Sequence, residues 1–296
     1  MNVEVNSITV GSAGTAGSAG VPKVTALPGW CPPGENGWTR SHDAIRADLK
    51  DTATVFEVLL AAAGAGECQE WMGSNLVTWY QFVSDFIVAH HDHEERIFFP
   101  LIETKVKLAE RFTSDHKSML ACLAELTEGV RKVGVLLAGS DAEGLSKVGD
   151  SCQQAATVSP TSDCLVGDLE FCAATLDKLD KMMRPHLLEE EEEVLPVMTA
   201  NFTPKEVAPA DKKMVSEFGW WELPHFYRCQ TVSERNRHAT KVLGIPKPVV
   251  RFILAKDFSR YDREVAWVLA ELLEPKKKEE NDKLRAAAGG CNCTVS

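Results

Sequence analysis

The sequence predicts an all-α protein: an antiparallel up-down-up-down four-helix bundle with an additional C-terminal helical region. Three observations predict it. Four long segments repeat apolar residues at helical spacing. One phrase, His, three residues, Glu, five residues, Pro, is written twice, from His90 to Pro100 and from His186 to Pro196. Each of the four apolar stripes also passes a histidine.

Residues 1–35 are rich in Gly, Ala, Ser and Val and read as a flexible tail. The bundle is expected over 36–201. Its first helix runs from about Trp38 to Ala63, with Ile45, Leu49, Phe56 and Leu59 on one face. The second runs from about Asn75 to Lys107 through Leu76, Trp79, Val83, Phe86, Ile97 and Leu101. The third runs from about Phe112 to Leu137 through Met119, Leu123, Leu126, Val130 and Val133. The fourth runs from about Asp168 to Thr199 through Leu169, Cys172, Leu176, Leu179, Met183, Val194 and Val197. The Gly-, Ser-, Asp- and Thr-rich connection between the last two is expected to be a surface loop. Pro185 predicts either a kink or a break into two helices.

Residues 202–275 read as an accessory helical region without recognisable chemistry. Glu222 and His225 have a ligand-like spacing, but Pro224 between them spoils a helical geometry, and His238 has no evident partner. Residues 276–296 form a charged tail.

On a helix, residues i and i+4 share a face, so each copy of the phrase presents an imidazole beside a carboxylate. The stripes extend to His42 on the first helix, His90 and Glu94 on the second, His116 on the third, and His186 and Glu190 on the fourth. At about 1.5 Å per residue, antiparallel helices bring these six groups to one level. Nitrogen and oxygen donors together suit iron, manganese or zinc. His90 is in phase with Phe86 and Ile97. His91 is rotated by about 100°, so it reads as a neighbour of the site, with a substitute ligand as the alternative. The acidic run Glu189 to Glu193 reads as a solvated face, Glu190 excepted.

The residue pattern resembles the hemerythrin-like, or HHE cation-binding, family. The similarity covers about residues 36 to 200, and the doubled His-x-x-x-Glu-Glu with Phe99-Pro100 carries it. It implies a non-haem di-iron centre, with iron expected ahead of manganese or zinc. Glu94 and Glu190 would bridge the metals, His42 and His90 would serve one, and His116 and His186 the other. Oxygen-carrying members have a further His where this chain has Leu120, and an Asp where it has Glu190. That departure predicts an open position beside Leu120 and counts against reversible oxygen carriage. The expected function is di-iron binding coupled to oxygen or iron sensing, storage or transport, with dioxygen or peroxide as the small ligand. The alternative is a di-iron oxidase or peroxidase, so the sequence leaves open whether the protein is an enzyme.

The net charge of −11 counts against a nucleic-acid partner. No stretch is apolar for long enough to span a bilayer. Nothing at the N-terminus resembles a targeting signal, and nine scattered cysteines fit reduced thiols in the cytoplasm. The final Cys293-Thr-Val-Ser matches a prenylation box, with Cys291 as a second lipid site. That match predicts peripheral membrane anchoring through lipid.

Overall fold

A computed structural model describes residues 36–138 and 162–278. The tail 1–35, most of the expected loop, and the lipidation candidates Cys291 and Cys293 lie outside the described residues. No helix among the described residues is long and apolar enough to cross a membrane.

All four expected helices form. α1 spans Gly37–Ala65. α2 spans Glu70–His93 and continues through a π-helical turn, Glu94–Phe98, into α3, Phe99–Glu103. α4 spans Arg111–Ala138. α5 spans Ser162–Glu189 and continues through a second π turn, Glu190–Val194, into α6, Leu195–Asn201. α1 packs on α2, α2 on α4, α4 on α5, and α5 closes back on α1, which is the expected bundle. Pro185 lies inside α5 and does not divide it into two helices.

Local chemistry sets the ends of α1. Asn36 Oδ1 accepts from Thr39 N at 2.7 Å, which satisfies one of the free donors at the start. At the other end Gly66 takes φ 70°, a left-handed conformation that glycine adopts without a Cβ clash. Glu67 N then bonds Ala62 O and Gly66 N bonds Ala63 O, closing the last turn. Where α2 begins and α4 ends, the two helices approach backbone to backbone: a Cβ added at Gly73 would lie 2.8 Å from the Gly134 carbonyl.

The two π turns have a local cause. Pro100 and Pro196 follow Glu94 and Glu190 by the same six residues. A proline inside an α-helix lacks a donor and clashes with the carbonyl four residues back. In each copy the residue before the proline instead donates to the carbonyl five back, Phe99 to Glu94 and Leu195 to Glu190. The proline then sits in the first turn of a new α segment, where its missing N–H costs little.

The apolar core is split in two. The larger cluster includes Ile45, Phe56, Trp79, Ile87, Met119, Leu123, Met183 and Leu187. The smaller includes Trp38, Ile97, Phe99, Phe112, Val194 and Val197. On every helix the predicted ligands fall at the seam between the clusters. The polar level is therefore sealed by apolar layers above and below.

The accessory region folds as α7 (Pro204–Glu217), α8 (Glu222–Phe226), α9 (Val232–Lys241), α10 (Lys247–Val249), α11 (Ala255–Tyr261) and α12 (Trp267–Leu273). α12 packs on α1 and α2, and α8 on α1. Leu223, Phe226, Tyr261 and Leu272 join the bundle's own core. A buried polar clamp fixes the join. Asp48 of α1 meets His225 Nε2 at 2.8 Å and accepts from Arg228 at 2.6 Å, while the Tyr261 hydroxyl meets His225 Nδ1 at 2.9 Å. His225 is thus a clamp residue, and Glu222 is engaged elsewhere, with Gly219 N. His238 also has a partner, contrary to expectation: its Nδ1 meets the Tyr227 hydroxyl at 2.7 Å in the core.

Two stability predictions follow from these contacts. Asp48→Ala strands His225 and Arg228 without their carboxylate. It should lower the unfolding free energy by about 3–5 kcal/mol, read by urea titration. Burial first, then the Arg40 and Arg237 cations, push His238 down to about 3. The unfolded imidazole takes its proton near the ordinary value of about 6.5, so the unfolded state binds more protons between those limits. Stability should be full above pH about 6.5 and fall as pH drops towards 3. His238→Gln should flatten the fall in urea midpoint between pH 7 and 5.

Candidate metal centre

The six predicted groups come together at the seam, and His91 joins them. His42 and His90 stand edge to face on one side, 5.0 Å between ring centres. His91, His116 and His186 stand on the other side, with His91 and His116 centred 4.5 Å apart. His116 Nε2 and His186 Nε2 converge to 2.9 Å. Glu94 and Glu190 lie between the two groups.

Each carboxylate turns one oxygen to either side. Glu94 Oε1 is 3.1 Å from His90 Nε2, and its Oε2 is 3.6 Å from His116 Nε2. Glu190 Oε2 is 3.3 Å from His42 Nε2, and its Oε1 is 3.3 Å from His186 Nε2. Donor atoms of His42, His90, Glu94 and Glu190 fall within 4.8 Å of one another, as do those of His91, His116 and His186.

His91 corrects the expected register. Adjacent residues on a helix point about 100° apart, and α2 sits between α1 and α4. His90 therefore faces His42 of α1, while His91 faces His116 of α4. The third neighbour, His93, turns away to Glu217 of α7, 3.5 Å off. His91 stands beside His116 on the side where Leu120 lies, and Leu120 packs against the main core. The poorer side is the one with His42 and His90, which has two imidazoles against three.

Two further residues of the site escaped the sequence reading. Glu95 Oε1 holds His116 Nδ1 at 2.8 Å, and Glu191 Oε1 holds His42 Nδ1 at 2.8 Å. Each doubled glutamate thus puts its first carboxylate in the centre and its second on the outer nitrogen of a histidine from a neighbouring helix. Such a contact fixes the tautomer and aims the inner nitrogen. The repeated Glu-Glu was the available signal. Glu191 therefore does not belong to the solvated part of the acidic run, whereas Glu189 and Glu193 pair with Arg111 at the surface.

The electrostatics of the protein alone are those of a site short of cations. Burial works against a charged His42, but Glu190, Glu191 and Glu94 outweigh it and raise the ring to about 10. Burial and the neighbouring Glu190 carboxylate push Glu94 up to about 8. Burial also disfavours ionised Glu190, yet His116, His186 and His42 hold it well below the ordinary range. His90 and His91 are driven well below theirs by burial and by the other imidazoles.

Many of these buried atoms have no hydrogen-bond partner: His42 Nε2, His90 Nε2, both nitrogens of His91, and all four oxygens of Glu94 and Glu190. Buried polar atoms are ordinarily paired. Convergent unpaired nitrogen and carboxylate donors are the donor set that iron, manganese or zinc accepts, so the residues present fit such ions.

The poorer side opens on a cavity of about 450 Å³, lined by His90, Glu94 and mostly apolar side chains. Its far wall comes from the accessory region.

The family model of the hemerythrin HHE cation binding domain matches residues 35–198, more than half of the chain. No curated protein and no solved structure matches it. Glu191→Gln, which keeps the shape and removes the charge beside His42, should weaken metal binding by about 10- to 100-fold. Competition against a chelator of known affinity measures the change.

Proposed function

Since the chain belongs to the hemerythrin HHE cation-binding family, we propose that it is a non-haem di-iron protein coupled to oxygen or iron sensing, storage or transport. The observation that carries this reading is the two-sided placement of Glu94 and Glu190. Two cations a few ångströms apart repel each other, and a carboxylate with one oxygen towards each offsets that repulsion. His42 and His90 would complete one iron, and His91, His116 and His186 the other. Bound iron would supply electron exchange with dioxygen or peroxide.

The chain's own residues do the rest. Glu95 and Glu191 orient imidazoles, and the apolar layers on both sides of the seam keep water out. His42 and His90 would offer an iron fewer protein donors than His91, His116 and His186 offer the other, which would leave room for a small ligand on the side next to the cavity. If His91 served as a third imidazole on the other side, it would take the place of the ligand missing at Leu120. A second reading, a di-iron oxidase or peroxidase, is favoured by the cavity that meets the poorer side. Turnover of peroxide by the iron-loaded protein separates the two.

Elemental analysis of anaerobically loaded protein should give two irons per chain. His91→Ala would leave each side with two imidazoles and one oxygen from each carboxylate, so two irons should still bind, but the one beside His116 and His186 should be lost to a chelator more readily than in the native protein. At most one iron in the fully loaded native protein would overturn the di-iron reading.

A further inference from the structure

The cavity beside His90 and Glu94 is far larger than dioxygen or peroxide requires. A water-sized molecule occupies roughly 30 Å³, and pockets for organic ligands run from about 300 to 1,000 Å³. At about 450 Å³ this one is of the second kind. It lies between the bundle and the accessory helices: Trp38 and Phe86 face it from the bundle, and Val207, Met214 and Phe218 from α7 and the segment after it. Its floor is the polar level, where His90 and Glu94 carry buried atoms without partners.

The polar groups on its wall indicate the charge of what fits. Asp211 and Glu222 line it with a single cation, Lys241. His93, also on the wall, faces Glu217. In the metal-free protein an anionic ligand would meet Asp211, Glu222 and the carboxyl groups of the floor. An uncharged one meets mainly aromatic and aliphatic surface, and burying apolar area is worth about 25 cal/mol per Å².

We infer that this cavity is a binding site for an uncharged apolar organic molecule, one end of which lies against His90 and Glu94. The accessory region is then a functional wall, since without α7 and the Phe218 segment the bundle side of the pocket would be open. What the ligand's inner end meets rests on the di-iron reading, but the pocket itself does not.

The test uses the full chain, both metal-free and iron-loaded, with an uncharged environment-sensitive dye such as N-phenyl-1-naphthylamine. The dye should bind saturably at one per chain. In the metal-free protein 1-decanol should displace it at lower concentration than decanoate. Ala208→Trp and Met214→Trp add bulk to the cavity wall on α7, away from the ligands. Each should weaken dye binding at least tenfold while iron per chain stays at the native value. Val135→Trp, on the exposed outer face of α4, should change neither.

Saturable binding that is indifferent to both filling variants, or no saturable binding to native protein, overturns the inference. So does displacement from the metal-free protein by decanoate as readily as by decanol. Displacement in native protein needs no variant, so a variant that fails to fold leaves the test standing. Two irons per chain without dye binding would sink the pocket and leave the di-iron reading intact. Dye binding by protein that takes up no iron would do the reverse.

Discussion

Two carboxylates buried in the middle of a helical bundle govern this structure. Taking Glu94 and Glu190 out of water costs several kcal/mol each unless charge is returned to them. The chain surrounds them with five imidazoles from four helices and places apolar layers on either side. That arrangement buries the level and holds the donors close together. In the protein alone, protons partly fill the role that cations would take, as the raised His42 and Glu94 indicate. Metal binding and proton release are then opposite faces of one equilibrium.

The bundle was legible because its helices are long and their apolar stripes regular. Each predicted stripe is buried or nearly so, and the six groups that meet at the seam could be read from their phase with it. What escaped has specific physical causes. His91 breaks the phase rule because a helix between two neighbours has two inward directions, and a single stripe records only one. Glu95 and Glu191 were hidden by composition, since a glutamate in an acidic run resembles its solvated neighbours until its partner on another helix is known. The π turns were written in the fixed distance from glutamate to proline, but periodicity analysis assumes an uninterrupted α register.

The region after Phe202 was the least legible. Its helices are short and interrupted by prolines, and their apolar faces make sense only against the bundle. The clamp of Asp48, His225, Arg228 and Tyr261 joins residues far apart in the chain, and no local pattern announces it. His225 had even attracted attention for the wrong partner, Glu222, three positions away in the same segment. The clamp shares α1 with His42, six residues before Asp48. The accessory layer and the poorer side of the centre are therefore mounted on one rigid rod.

The doubled glutamates also impose an order in time. Glu95 reaches His116 across 21 residues, whereas Glu191 reaches His42 across 149. On a chain emerging from the ribosome, the first contact is available as soon as α2 and α4 are out. His42 must wait until nearly two-thirds of the protein has been made. Closing so long a loop is entropically the slower step. His42 is therefore the later of the two histidines to be held, and because His186 and Glu190 also belong to α5 and its continuation, neither side of the centre is complete until α5 has docked.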